Sequence, residues 1–294
     1  MAYSAESSST SPSLDIVIPV LNEAHVLEAS VNKVRAYLAR HIACRWRIII
    51  ANNGSTDGTL ARAEALAREH AAVSVLHIER KGRGLALRRA WMQSTADIVG
   101  YMDVDLSTEL EALPAALSAI QHDGFDAAIG SRRLPESRIK RCARREILSR
   151  VYNGLVKCAL RAKFSDAQCG FKFFSRAACD ELLPLVRNES WFFDTELLVL
   201  AEQHGYRVKD VPVTWDEDRD SRVKVIQTVW ENLREVVRLR GVLRERHAEF
   251  AGARAHNLLL REASENWHAT FAARGQREVD EPVAVGAAGP DRRR

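Results

Sequence analysis

Residues Asp97-Ile98-Val99-Gly100-Tyr101-Met102-Asp103-Val104-Asp105-Leu106-Ser107 decide how this chain is read. An apolar run of strand type ends in two carboxylates one residue apart. Ligands of open α/β sheets bind at the carboxyl ends of strands. Hard divalent cations prefer oxygen ligands, and Mg²⁺ is commonly held by one or two carboxylates together with substrate phosphates. Asp103 and Asp105 therefore read first as a site for a metal and a diphosphate. A lone D-x-D is more often a solvated turn, so its meaning rests on what surrounds it.

Moving outward, apolar and β-branched runs at 14–20, 47–51, 73–78 and 97–102 predict strands. Helical spacing separates them at 23–39, 59–69 and 84–93, and a helix at 109–121 and a strand at 126–130 continue the series. Such alternation predicts an α/β fold: a Rossmann-like, mostly parallel sheet with right-handed crossovers and helices on both faces. The loops between these elements are polar. Pro19-Val20-Leu21-Asn22-Glu23 ends the first strand, Asn52-Asn53-Gly54-Ser55-Thr56-Asp57-Gly58-Thr59 ends the second, and Arg80-Lys81-Gly82-Arg83-Gly84 opens the third helix. Each has a plain reading: a helix cap at Asn22 or Asp57, or a solvated basic loop. Each also has a ligand reading, because glycines let backbone approach a ligand and a basic helix N-terminus suits phosphate. Convergence of all three on Asp103 and Asp105 favours the ligand reading.

Bulk composition narrows the classes. The chain has 294 residues, 46% hydrophobic and 28% charged, an ordinary globular balance. A net charge of +4 is too small to argue for nucleic acid. Cys44, Cys142, Cys158, Cys169 and Cys179 are scattered without a C-x-x-C, which suggests reduced thiols and a cytoplasmic setting. Residues 1–13 are Ser-rich without the apolar core of a signal peptide and read as disordered. No apolar stretch reaches the roughly 18 residues needed to span a bilayer, so a soluble or peripheral protein is expected.

At this point the chain resembles a known family. Val17 to Glu23, Asn53 to Thr59, Lys81-Gly82-Arg83-Gly84 and Met102 to Leu106 look like the ordered motifs of family 2 glycosyltransferases with the GT-A fold. Gly130-Ser131-Arg132, Asp166 to Lys172, Trp191 to Glu196, Val211 to Trp215 and Ser221-Arg222 resemble its polyprenyl-phosphate branch, which includes dolichyl-phosphate β-glucosyltransferases and dolichyl-phosphate mannose synthases. The resemblance covers about residues 14–240 and leans toward the glucosyl members. It implies that Pro19, Leu21, Asn22, Glu23, Asn52, Asn53, Asp57, Arg83, Asp103 and Val104 line the nucleotide-sugar pocket, with Asp103 and Asp105 holding Mg²⁺ or Mn²⁺. Arg132, Lys172, Ser221 and Arg222 are expected at the acceptor or diphosphate, and Asp194 where relatives carry a catalytic acid group. One departure stands out: the second loop of the family begins Asp-Asp, whereas here it is Asn52-Asn53, so an amide replaces a carboxylate that would accept a base N–H.

The implied reaction is inverting transfer of a hexose from a nucleotide diphosphate sugar, of UDP-glucose type or else GDP-mannose, to a polyprenyl phosphate. The alternative is a soluble enzyme acting on a small-molecule acceptor. A phosphate acceptor needs no strong base, whereas an alcohol or amine would need Asp194 to take its proton. The expected domains are a glycosyltransferase domain over 14–221, a basic amphipathic helix over 222–248 and a partly disordered extension over 249–294. A basic amphipathic helix can lie on an anionic membrane, but packing on the domain or on a second copy in a homodimer is commoner. The Arg-rich stretch 132–150 reads as a solvated loop or a seat for an anionic acceptor.

Overall fold

Alternate residues of the first strand face opposite layers. In the computed structural model, which describes residues 12–140, 143–216 and 225–280, β1 (Ser13–Val20) directs Leu14, Ile16, Ile18 and Val20 into one apolar layer and Val17 into the other. The next strand, β2 (Arg45–Asn53), does the same with Ile48 and Ile50 against Ile49 and Ala51. A strand buried on both faces reads as a continuous apolar run, and helices must cover both sides. Between them runs α1 (Leu27–His41), followed after β2 by α2 (Thr59–Glu69), β3 (Val73–Ile78), α3 (Arg83–Gln93) and β4 (Ile98–Met102). A 3-10 turn at Leu110–Ala112 leads into α4 (Leu113–Gln121) and β5 (Ala127–Ser131). Helices α1, α2 and α4 close one face, and α3 with the later helices closes the other.

The second half contains β6 (Arg138–Lys140), α5 (Ala143–Leu160), β7 (Phe171–Ser175), α6 (Arg176–Leu182), α7 (Phe193–Gln203), β8 (Val208–Pro212), β9 (Thr214–Asp216), α8 (Val225–Glu245) and α9 (His247–Asp280). The sheet has seven strands in the order β3-β2-β1-β4-β7-β5-β8. All neighbours are parallel except β7, which lies antiparallel between β4 and β5. This is the mixed, mostly parallel sheet expected, and β7 is the strand that makes it mixed. Its Phe171 and Phe173 fill one core layer, while Phe174 fills the other and Lys172 pairs opposite Tyr101.

Several expectations change in detail. Helix α1 starts at Leu27, not at 23, and its N-cap position is Val26 with no side-chain cap. Asn22 is therefore not its cap. The Arg-rich stretch is neither one loop nor one surface: it holds β6, which pairs with β9, and then the first two turns of α5. Helix α8 packs on the domain through Val236 and Leu239, and Arg238 Nη2 donates to the buried Glu196 Oε1 at 2.8 Å. Its Trp230 and Val237 stay exposed. The boundary expected at 248/249 falls inside α9, which is helical to Asp280 and docks through Phe250, Asn257 and Arg261. Among the described residues no helix is long and apolar enough to cross a membrane.

Candidate active site

The parallel arrangement delivers the loops after β1, β2 and β4 to one edge of the sheet, and side chains tie the first two together. Thr56 N–H donates to Asn22 Oδ1 at 2.8 Å, and Asn22 N–H donates to Ser55 Oγ at 3.0 Å. Glu23 N–H donates to Thr59 Oγ1 at 2.9 Å. Asp57 Oδ1 accepts from Thr59 N–H at 2.9 Å just ahead of α2, whose N-cap position is Gly58, while its other oxygen faces Ala24 N–H. Asn22 adopts a positive φ of 60°, which its short polar side chain tolerates. Pro19 lies within β1 opposite Ala51, and Leu21 follows at the strand end, half-buried.

Both asparagines of the second loop are buried and committed. Asn53 Nδ2 donates to Val20 O at 2.9 Å, which turns Oδ1 toward the Gly82 N–H at 3.4 Å. Asn52 Nδ2 lies 2.8 Å from His77 Nδ1 on β3, and its Oδ1 is buried with no hydrogen-bond partner among the described residues. A carboxylate at 53 would set oxygen against the Val20 carbonyl. An amide satisfies that carbonyl and still presents an acceptor oxygen.

Arg83 opens α3 directly over the end of β4. The approach is close because the helix start lacks side chains: a Cβ on Gly84 would stand 2.6 Å from Phe193 Cβ, and one on Gly82 would stand 2.9 Å from Glu189 O. Leu85 N–H donates to Glu189 O at 3.0 Å and pins the two segments together. Arg83 Nη2 then donates to Asp103 Oδ1 at 2.8 Å and Nη1 to Asp194 Oδ2 at 2.7 Å. The guanidinium also lies 4.6 Å from the Tyr101 ring centre and 5.2 Å from that of Trp191. Burial opposes its charge, but Tyr101, Asp194 and Asp103 outweigh it and hold Arg83 well above its ordinary value. It is a permanent cation.

Asp194 lies in the first turn of α7 and is 5% exposed. Its side chain points inward: Oδ2 meets Arg83 and lies 3.7 Å from Lys172 Nζ, and Oδ1 is buried with no hydrogen-bond partner among the described residues. Lys172 is wholly buried and donates to Tyr101 Oη at 2.9 Å and to Cys169 O at 2.5 Å. Burial pulls its pKa down, with Asp194 as the chief opposing influence. The expected ligand role of Lys172 thus gives way to an internal one: it braces Asp194 from within the sheet. Arg132 is similar. Its Nε and Nη2 bind Asp166 at 2.7 and 2.9 Å, Asp166 is 0% exposed, and the guanidinium faces the Trp215 ring at 5.3 Å. Arg132 is spent on the scaffold. Val104, expected along the nucleotide, buries its side chain in the core. Ser221 and Arg222 lie outside the described residues.

Asp103 and Asp105 follow β4 as expected. The Asp103 side chain is 42% exposed, and Asp105 is exposed, with Oδ1 and Oδ2 accepting from Ser107 N–H and Oγ at 3.1 and 2.7 Å. Among the described residues no group of three or more His, Cys, Asp or Glu forms a cage. Two accessible carboxylates without a cage fit a cation that draws its remaining ligands from a diphosphate. Tyr101 and Gly170 were missed by the sequence reading. A Cβ on Gly170 would stand 1.6 Å from Asp103 Oδ2, and the Gly170 carbonyl accepts from Asp103 N–H at 3.0 Å.

The chain is similar to known glycosyltransferases in sequence and in fold. Over 218 residues the chain is 37% identical to the glycosyltransferase AglD of Haloferax volcanii, covering 74% of this chain and 35% of that protein. It is 31% identical to the dolichyl-phosphate beta-glucosyltransferase of Drosophila melanogaster, covering 72% and 70% of the two chains. Identity is also 31% to the dolichyl-phosphate beta-glucosyltransferase ALG5C of Trichomonas vaginalis, covering 71% and 65%. The chain thus spans about a third of the archaeal relative and about two thirds of the glucosyltransferases. Among solved structures, glucosyl-3-phosphoglycerate synthase of Mycobacterium tuberculosis bound to uridine diphosphate aligns with TM-score 0.62 at 18% identity, covering 79% and 81%. The same enzyme with Mn²⁺ and UDP-glucose aligns at TM-score 0.56. The architecture is GT-A, and with residues 15–183 matching Glycosyl transferase family 2 across more than half its length, the chain belongs to that family.

Proposed function

We propose that this chain is an inverting hexosyltransferase that moves a sugar, glucose from UDP-glucose in the favoured reading, onto a polyprenyl phosphate. The observation that carries the reading is the meeting of Arg83 with Asp103 at the strand end, 2.8 Å apart, in a chain similar to dolichyl-phosphate beta-glucosyltransferases. Asp103 and Asp105 would hold Mg²⁺ or Mn²⁺, which when bound supplies positive charge for the departing diphosphate. Arg83 adds a buried cation on the same side, where low dielectric strengthens its effect on developing charge.

Bond by bond, an acceptor phosphate oxygen forms the new bond to C1 of the hexose on the face opposite the leaving group. The C1–O bond to the diphosphate breaks, and the nucleotide diphosphate leaves with the electron pair. No proton need move, because the acceptor oxygen is already anionic. Asp194, braced by Lys172, then serves to orient rather than to deprotonate. The base is held by Asn53, whose amide presents one acceptor oxygen beside Gly82. The protein works at the membrane surface, where its acceptor resides.

The test is direct. Radiolabelled UDP-glucose and GDP-mannose are incubated with the protein, Mg²⁺ or Mn²⁺, and either polyprenyl phosphate or soluble alcohols and phosphorylated small molecules. Label entering the organic phase from UDP-glucose is expected. Label confined to a water-soluble product would replace this reading with the small-molecule one.

A further inference from the structure

Arg83 serves two carboxylates that belong to opposite halves of the reaction. In the proposed reaction Asp103, at the end of β4, serves the donor, and Asp194, in the first turn of α7 and 111 positions from Arg83 in sequence, serves the acceptor. One planar guanidinium with a fork of donors satisfies both at 2.7 and 2.8 Å. Asp194 Oδ1 has no hydrogen-bond partner, so Arg83 and Lys172 are its ionic contacts among the described residues. They are not equivalent. Lys172 is fixed inside the sheet by Tyr101 Oη and Cys169 O, and at 3.7 Å it lies beyond hydrogen-bond range of Asp194. Arg83 sits on a helix end beside solvent-accessible Asp103 and can turn toward an arriving phosphate.

We propose that Arg83 is a positioning residue that couples the two halves: in the empty site it clamps Asp194, and arrival of the cation and nucleotide diphosphate draws its guanidinium away, leaving Asp194 on Lys172 and open to the acceptor. The inference rests on the donor half of the proposed function and is independent of the acceptor's identity. Two consequences follow from thermodynamic reciprocity. Asp194 competes with the donor for Arg83, so it weakens donor binding although it touches no part of the donor. The donor in turn frees Asp194, so the acceptor follows the donor.

The experiment measures binding, not turnover. Calorimetry with Mn²⁺ and UDP, and separately with Mn²⁺ and GDP, is carried out on the wild type, Asp194→Asn, Arg83→Met and the double variant. Asp194→Asn is expected to tighten Mn²⁺·nucleotide binding by roughly 5-fold or more, the lower end of usual coupling between sites. In the Arg83→Met background the same substitution is expected to change affinity by less than about twofold, since the shared cation is gone. A simple charge effect of Asp194 on the diphosphate would persist in both backgrounds, and that result overturns the proposal. So does an Asp194→Asn variant that binds like the wild type. Arg83→Lys, which keeps the charge but pairs with one carboxylate at a time, repeats the cycle should Arg83→Met not fold, with the same reduced coupling expected. Failure of both nucleotides to bind the wild type would defeat the donor reading itself, and is distinct from binding with uncoupled variants, which defeats only the clamp.

Discussion

Substituting Gly170 by alanine separates the site from the scaffold. Asp103 stands on backbone it cannot leave: its N–H is held by Gly170 O, and the adjoining Met102 pairs opposite Phe171. A Cβ at position 170 would lie 1.6 Å from Asp103 Oδ2 and 2.2 Å from its Cγ. Ordinary contact is about 3.5 Å, so the oxygen must move by about 2 Å, and only side-chain rotation can supply that. Because this carboxylate is 42% exposed, it can rotate toward water. Leaving its rotamer costs about 0.5–1.5 kcal/mol, and the lost bond to Arg83 is offset in part by new hydration. The net effect is roughly 1 kcal/mol, a fall of about 2–4 °C in Tm. The reaction suffers more, since about 1 Å of misplacement in a catalytic constellation costs roughly 10²-fold. Gly170→Ala should therefore retain its thermal transition, lose transfer by about 10²-fold or more, and bind Mn²⁺·UDP more weakly. Gly100→Ala is the counterpart: its Cβ would lie 2.1 Å from Cδ1 of the buried Phe173 ring. It should cost about 1–3 kcal/mol of stability with Mn²⁺·UDP affinity intact. Calorimetry, differential scanning and the transfer assay on both variants decide the matter. If Gly170→Ala transferred sugar at the wild-type rate, Asp103 would not need the geometry assigned to it.

Asp105→Asn should weaken Mn²⁺ binding by more than the roughly 10–100-fold lost with outer partners of metal ligands, and excess Mn²⁺ should restore part of the transfer rate in a titration. Arg132 and its hydrogen bonds outweigh the effect of burial on Asp166 and hold its carboxyl well below the usual range. A depressed pKa contributes stability above the unfolded value, about 3.9, and that contribution fades as pH falls below it. Asp166→Asn should cost about 3–5 kcal/mol at neutral pH by stranding Arg132 and flatten the acid limb of a stability–pH profile measured by denaturant unfolding. Burial pushes the thiols of Cys169 and Cys179 up to about 11 and about 12, while Cys158 is exposed. Iodoacetamide at pH 8 followed by peptide mapping should label Cys158 and spare Cys169 and Cys179 until the protein is unfolded.

The first half of the fold was legible because its signals are local. Continuous apolar runs in 14–20 and 47–51, helical spacing between strands, and polar loops at strand ends all follow from neighbouring residues, and they led to Asp103 and Asp105. What escaped depends on distant pairing. Phe171 to Ser175 is a five-residue run in a segment that reads as a polar motif, and it becomes a strand because β4 and β5 flank it. Once β7 is placed, Lys172 faces inward opposite Tyr101, and a lysine that looked like a ligand becomes a buried brace. The same holds for Arg132: a cation in a basic stretch suggests an anionic ligand until Asp166, 34 residues on, is found against it. Asn22 looked like a cap because helical spacing began at residue 23, yet the chain first crosses to the second loop and the helix waits until Leu27.

The antiparallel strand also explains the electrical character of the site. Without β7 between β4 and β5, neither Lys172 nor the small Gly170 would stand beside Asp103 and Asp194. With it, four groups form a self-balanced set: Arg83 and Lys172 against Asp103 and Asp194. A bare divalent cation entering such a set must compete with Arg83 for Asp103. A bare diphosphate must draw Arg83 from two carboxylates while facing both of them. On the proposed reading the cation takes Asp103 as the diphosphate takes Arg83, and their opposite charges cancel, so the set gains no net charge. Low-dielectric surroundings penalise any uncompensated charge heavily. The balance of this site thus favours loading of metal and nucleotide as one unit, and it leaves Lys172 as the residue that keeps Asp194 compensated after Arg83 has turned to the donor.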